Sequence, residues 1–411
     1  MQFTDLQLNK PLLKAISNQK YQLPTLVQQQ TIPLVLEKKD VIVSAQTGTG
    51  KTAAFALPIL QLLFDRQDAG KRAKKIRALI ISPTRELAVQ IDENFKAYGQ
   101  FTNLRSTVVY GGTSIEPQKE ILKKGVDILI ATPGRLLDLH KQDCVNLSFI
   151  ETLVLDEADL MLDMGFIDDV RKIERLCPKN KQVLLFSATM PEKLGELANT
   201  ILKDPKKIEV TPKSTTAESI NQQLYYVHKP KKIELCLHLL RNTIKGDILI
   251  FRRTKFGVDK LEKSLRKNGY KVNSIHGDKS QAAREEALQK FKNKEINILI
   301  ATDVASRGID ISNLDAVINF DIPNIPETYI HRIGRTGRAG NTGNSYSFCS
   351  SDEKSYITAI QKLIQEEISV ESEHPYPIDK NANSNMFFRK DTKNKKGRKS
   401  AASKKNKKRW Y

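Results

Sequence analysis

Cysteine is scarce in this chain. Cys144, Cys177, Cys236 and Cys349 stand far apart in 411 residues, with no CxxC pair and no Cys/His cluster. That spacing excludes a zinc-held fold and a disulfide framework, and leaves small hydrophobes in a reducing compartment. Long apolar runs are missing as well, and no basic-then-apolar leader opens the chain, so neither a membrane span nor secretion is expected. The expectation is a soluble, cytoplasmic, monomeric protein. Acidic residues are outnumbered, 47 Asp and Glu against 67 Lys and Arg, which leaves a net charge of +20. An excess of that size points to a polyanionic partner.

What is present divides into parts. With 39% apolar residues, 411 positions exceed one ordinary core, so two domains are expected. Short β-branched runs recur from residue 41: Val41–Val43, Ala78–Ile81, Thr107–Tyr110, Ile128–Ile130, Leu153–Leu155 and Val183–Phe186. Each ends in polar or Gly-rich residues, and helix-length segments separate them. This is the rhythm of a doubly wound parallel α/β sheet, whose ligands bind beyond the carboxyl ends of the strands. The pattern lapses over 211–219, a linker, and restarts at Leu224–Val227, Ile248–Phe251, Val272–Ile275, Ile298–Ile300, Ala316–Ile318 and Tyr346–Phe348. Ile128-Leu-Ile-Ala-Thr132 returns letter for letter as Ile298-Leu-Ile-Ala-Thr302, which suggests two related domains. The expected division is 1–210, linker, 220–368, then a tail over 369–411. Residues 389–411 hold 12 Lys and Arg against one Asp and carry no apolar period, so disorder and polyanion attraction are expected there.

The chemistry gathers at strand ends. Ala45-Gln46-Thr47-Gly48-Thr49-Gly50-Lys51-Thr52 follows the first strand and opens a helix. Backbone N–H groups in such a P-loop cradle phosphates, Lys51 reaches the β and γ oxygens, and Thr52 supplies a Mg²⁺ ligand. Ala45 stands where the general template has Gly. About a hundred residues on, Leu153-Val-Leu is followed by Asp156, Glu157 and Asp159. Carboxylates at a buried strand end call for a cation, so Asp156 is read as the second Mg²⁺ ligand and Glu157 as the group that orients or deprotonates water. His331-Arg332-Ile-Gly-Arg335-Thr-Gly-Arg338 offers arginines in the second domain, with Arg335 and Arg338 as fingers for the transition-state charge. If cradle and fingers lie on different domains, hydrolysis requires closure. Closure would align Pro83-Thr84-Arg85, Gly112 and Thr132-Pro133-Gly134-Arg135 with Gln281, Arg284, Thr302 and Arg307. Loops of Gly, Thr and Arg suit sugar–phosphate contacts with little base reading.

In that order, these motifs resemble the DEAD-box ATP-dependent RNA helicases of superfamily 2, most of all the bacterial RhlE-type group. The resemblance covers about residues 1–365. It implies two tandem RecA-like domains and RNA-stimulated hydrolysis of ATP coupled to local unwinding of short RNA duplexes or remodelling of ribonucleoproteins. Ribosomal or RNA-decay proteins are the partners it suggests. An ATP-gated RNA clamp with little unwinding is the alternative. By the same resemblance Phe3, Tyr21 and Gln28 form an adenine-recognising motif, although Lys20 stands where the family usually has Gly. Asp310 would contact the ribose. Asp159, Ser187, Thr189 and His331 would couple the ATP site to the domain interface. His276-Gly277-Asp278 with Gln281 and Arg284 matches an interdomain motif, which adds Gly277 to the RNA contacts.

Overall fold

Two seven-stranded sheets organise the computed structural model, which describes residues 1–45, 48–65, 75–210, 220–306, 311, 314–337 and 342–378. The first sheet holds β1 (Val41–Ala45), β2 (Ala78–Ile81), β3 (Ser106–Val109), β4 (Ile128–Ala131), β5 (Thr152–Leu155), β6 (Gln182–Ser187) and β7 (Lys206–Val210). The second holds β8 (Ile220–Tyr226), β9 (Ile248–Phe251), β10 (Val272–Ile275), β11 (Ile298–Ala301), β12 (Ala316–Asn319), β13 (Gly343–Cys349) and β14 (Ser369–Val370). All their pairings are parallel.

The spatial order is β3-β4-β2-β5-β6-β1-β7 in the first sheet and β10-β11-β9-β12-β13-β8-β14 in the second. Adding seven to each number of the first order gives the second. The repeated Ile-Leu-Ile-Ala therefore fills the same place, β4 and β11, in both sheets. Side chains alternate between two covered faces. Ile80, Ile128, Ile130 and Val154 enter one apolar layer, and Leu79, Ile81, Leu129 and Leu153 enter the other. Burial on both faces explains why these strands read as unbroken apolar runs.

Two strands escaped the sequence pattern. β7 (Lys-Lys-Ile-Glu-Val) is an edge strand with mostly exposed side chains, and charge on such an edge discourages further pairing. β14 is two residues long and pairs with β8. It moves the end of the second unit beyond the expected residue 368. His374 packs edge-on to Tyr225 at 5.5 Å, and Val227 bridges Pro377. The expected linker, 211–219, and the basic stretch from 379 onward lie outside the described residues. Among the described residues no helix is long and apolar enough to cross a membrane.

An ionic cluster fastens the second unit. Lys232, almost fully buried, sets its Nζ 2.5 Å from Glu353 and donates to the Phe320 carbonyl at 2.9 Å. The other Glu353 oxygen accepts from Arg253 at 3.0 Å and from the Ile322 N–H at 3.2 Å. Removing the carboxylate would leave the buried ammonium with Asp321 at 3.9 Å as its remaining acid, and breaking a buried pair in this way costs about 3–5 kcal/mol. Glu353→Ala is therefore expected to lower the unfolding free energy of the second unit by about that amount in urea titration. A loss under about 1 kcal/mol would mean that solvent reaches Lys232.

Candidate functional site

Strand ends set the candidate phosphate cradle. β1 stops at Ala45, Gly48 and Gly50 adopt φ of 86° and 89°, and the helix Lys51–Phe64 begins. β5, separated from β1 by β6, delivers Asp156 and Glu157 to the same carboxyl edge of the sheet. Lys51 Nζ lies 2.8 Å from Glu157 Oε1, both nearly buried. Burial alone would depress the Lys51 pKa, but Glu157, then Asp156 and Asp159, hold it above its usual value. Asp156 shows the opposite stress. Burial, then the Glu157 charge, push its carboxyl up to about 7 despite the nearby ammonium. Its Oδ1 is buried without a hydrogen-bond partner. An orphaned carboxylate oxygen on a residue that lines the same cavity as Thr52 is what a divalent cation would satisfy, so these residues fit Mg²⁺. Glu157 itself sits at φ 51°, a left-handed conformation that few non-glycine residues adopt.

A cavity of about 870 Å³ opens over this cradle. Tyr21, Gln28, Tyr98, Lys51, Asp156 and Glu157 line it, and so does Arg335 from the second unit. Gln28 donates from Nε2 to the Gly50 carbonyl at 3.2 Å and accepts from the Thr25 N–H at 3.0 Å. Phe3 does not reach the cavity. It is buried behind Tyr21, ring centroids 6.4 Å apart and near-parallel. Tyr98 supports Tyr21 from another side, hydroxyl to hydroxyl at 3.0 Å. Tyr98 was not legible in the sequence, because the end of the helix Arg85–Tyr98 carries no motif. Lys20 adopts φ 58°, the conformation glycine takes freely, which accounts for the usual Gly at that place.

Asp159, Ser187 and Thr189 form one knot. The Asp159 N–H donates to Ser187 Oγ at 3.1 Å, and Thr189 donates to Asp159 Oδ2 through N–H and hydroxyl, both at 3.0 Å. An adjoining cavity of about 390 Å³ brings Asp159 and Thr189 together with His331 and Arg335. The arginines of that octapeptide, Arg332 and Arg335, are both buried and separate by what they face. Arg332 is 2% exposed and grips Asp303 with two bonds of 2.6 and 2.8 Å, so it holds the fold of the second unit. Arg335 faces the cradle.

A third cleft, about 490 Å³, runs between the units and is lined by Pro83, Thr84, Arg85, Thr132, Gly134, Arg135, Gly277 and Arg284. Arg284 pairs with Glu86 at 2.8 Å, and Arg85 donates to Gln281 at 3.4 Å. Arg85 lies across Gly112, where φ is 77° and a Cβ would overlap the guanidinium. Pro133 starts the helix Pro133–Lys141, and Thr302 follows β11 at the same rim. Gln46, Thr47, Arg307, Asp310 and Arg338 lie outside the described residues. Thr49 lies in the cradle turn between the two glycines.

Comparisons with known proteins bear on the family and the fold. A DEAD/DEAH box helicase family model matches residues 25–197, and a helicase conserved C-terminal domain model matches 231–340. The ATP-dependent RNA helicase CshA of Limosilactobacillus reuteri is 45% identical over 363 residues, 88% of this chain and 72% of its own. The S. cerevisiae protein Dbp5 bound to RNA and ADP BeF3 superposes with a TM-score of 0.80 at 33% identity, covering 90% of this chain and 95% of that one. A DEAD box protein from Methanococcus jannaschii, 40% identical over 90% of this chain and 99% of its own, reaches only 0.51.

Proposed function

The chain belongs to the DEAD-box helicases, and from that premise we propose that it is an ATP-dependent RNA helicase whose two units close over ATP and RNA together. One observation carries the reading: Arg335 of the second unit lines the same cavity as Lys51, Asp156 and Glu157 of the first. Hydrolysis then depends on closure. The higher superposition score against an RNA- and nucleotide-bound relative than against a more identical one favours a closed arrangement here.

The roles follow from the geometry. Phosphates entering the cradle take over Lys51, which frees Glu157 to orient the attacking water. Thr52 and Asp156 would hold Mg²⁺, which neutralises phosphate charge when bound. Arg335 adds cationic stabilisation from across the interface. Tyr21 and Gln28 take the adenine, with Phe3 and Tyr98 fixing the Tyr21 ring. Arg85, Arg284 and the Gly/Thr loops take the RNA backbone, so recognition is largely independent of base sequence. Closure strains one strand out of a short duplex, and ribosome-assembly or RNA-decay particles in the cytoplasm are its proposed setting, with the chain acting as a monomer.

Two measurements test this. Single-stranded RNA is expected to raise ATP turnover, since RNA bridging the cleft favours the state that contains Arg335. Turnover unchanged by RNA across a range of salt would refute the coupling. Gly112→Ala is expected to displace Arg85 and weaken RNA affinity about tenfold, the scale of one charge-assisted hydrogen bond, without altering ATP affinity in the absence of RNA. Equal RNA affinity in that variant would remove Arg85 from the track.

A further inference from the structure

The helix Lys255–Lys267 turns one side inward and leaves the other unexplained by packing. Val258, Leu261 and Leu265 are fully buried. On the opposite side Phe256, Lys260, Lys263 and Lys267 follow one another at spacings of four, three and four, which is one face of a helix. Phe256 is 75% exposed, the most exposed of the large apolar residues among those described. At that exposure the ring buries little surface, and its recorded ring contact is with the adjacent Lys255 ammonium at 5.4 Å.

The three lysines add charge on the same side. Some helix lysines are held by acids one turn away, as in Lys119–Glu116, Lys123–Glu120, Lys172–Asp169 and Lys290–Glu286, whereas three unpaired lysines here share one face with Phe256. Lys260, Lys263 and Lys267 have no such partner among the described residues. The acids of their own helix are engaged elsewhere. Asp259 receives His276 Nε2 at 2.9 Å, and Glu262 is shared by Ser274, Lys279 and Arg266. The face therefore keeps its positive charge.

Its position follows from the duplication. β2 and β9 hold the same place in their sheets. Each leads into a helix capped by a threonine whose hydroxyl accepts a backbone N–H three residues on: Thr84 from Leu87 at 3.3 Å, Thr254 from Gly257 at 3.1 Å. In the first unit the residues at that cap, Thr84, Arg85 and Glu86, line the interdomain cleft. Their counterparts are Thr254, Lys255 and Phe256. Lys255 reaches Asp278 at 2.6 Å, next to Gly277 on the cleft wall.

We propose that this outward face continues the RNA track beyond the cleft, with Phe256 stacking a base of the flanking single strand and Lys260, Lys263 and Lys267 following its backbone. From Phe256 to Lys267 the face runs about 16 Å, the reach of a few nucleotides. An aromatic heading a line of unpaired cations is the combination that binds single strands without sequence preference. The inference rests on the reading of the cleft as the RNA site.

The test compares the full chain on a short oligouridylate (about six nucleotides) and a long one (about twenty), by fluorescence anisotropy over a salt series. Exchanging Lys260, Lys263 and Lys267 together for Gln is expected to weaken the long RNA about fivefold or more. It should also reduce the salt slope by about 2, at 0.7 per lost phosphate contact, and leave the short RNA unchanged. Phe256→Ala should weaken the long RNA about fivefold, and Phe256→Trp should retain it. Removing three charges at Lys38, Lys39 and Lys206, at the far end of the first sheet, should have little effect. An equal loss from that control, or an unchanged long-RNA affinity in the Gln variant, overturns the proposal. Arg284→Ala reports on the cleft separately. If it leaves the short RNA bound as before, the cleft reading fails, and its continuation falls with it.

Discussion

Glu157→Gln is expected to lower ATP turnover about 10²–10⁴-fold, the usual worth of a positioned general base, while ATP and RNA remain bound. The amide keeps the shape and the left-handed backbone of the position, so the strand end need not move. What it loses is the ability to accept a proton from water. It also loses the charge that holds Lys51 at 2.8 Å. That second loss has a readable consequence. Phosphates no longer compete with a carboxylate for the ammonium, so ATP should bind as tightly as before or more tightly. Single-turnover hydrolysis set beside nucleotide affinity separates the two effects. Turnover near wild type would take Glu157 out of the chemistry. Turnover and affinity falling together would make it a structural partner of Lys51 instead.

Arg335→Ala should cost about 10³–10⁵ in turnover, the range for an arginine supplied to a transferring phosphoryl group. Its neighbour Arg332 provides the contrast. Arg332 is buried against Asp303 and Asn319, so its removal should unfold or loosen the second unit. Arg335 lines the cavity over Lys51 instead of gripping Asp303, so its loss should lower the unfolding transition less than the loss of Arg332 does. Arg335→Lys should rescue little, because an ammonium cannot reproduce the planar fork of a guanidinium. The same turnover defect with and without RNA would place Arg335 at the phosphates. A defect that disappears at saturating RNA would mean that it only helps closure.

Much of the site was legible because its parts are local. A P-loop is a strand, a turn and a helix within a dozen residues. Asp156 and Glu157 stood out because charge seldom follows three apolar strand residues. Neither feature needs a partner elsewhere in the chain to be noticed. Phe3 and Tyr21 show where local reading stopped. Both were expected near adenine, and only packing distinguishes the ring behind from the ring in front. Arg332 and Arg335 are alike in sequence and both buried, and only what each faces separates them: Asp303 for one, the cavity over Lys51 for the other. β7 and β14 were missed for a different reason: edge strands need no apolar run, since one neighbour's hydrogen bonds suffice to place them.

By itself the sequence determined the strand rhythm, its duplication and the strand–turn–helix of the candidate phosphate cradle, because each depends on residues within a few positions of one another. The tertiary structure alone decided that Arg335 faces Lys51 and Glu157, that Tyr98 holds Tyr21, and that residues up to 378 belong to the second unit. Those contacts join segments far apart in the chain. They depend on how the sheets and helices are oriented, and no local pattern of side chains encodes that orientation.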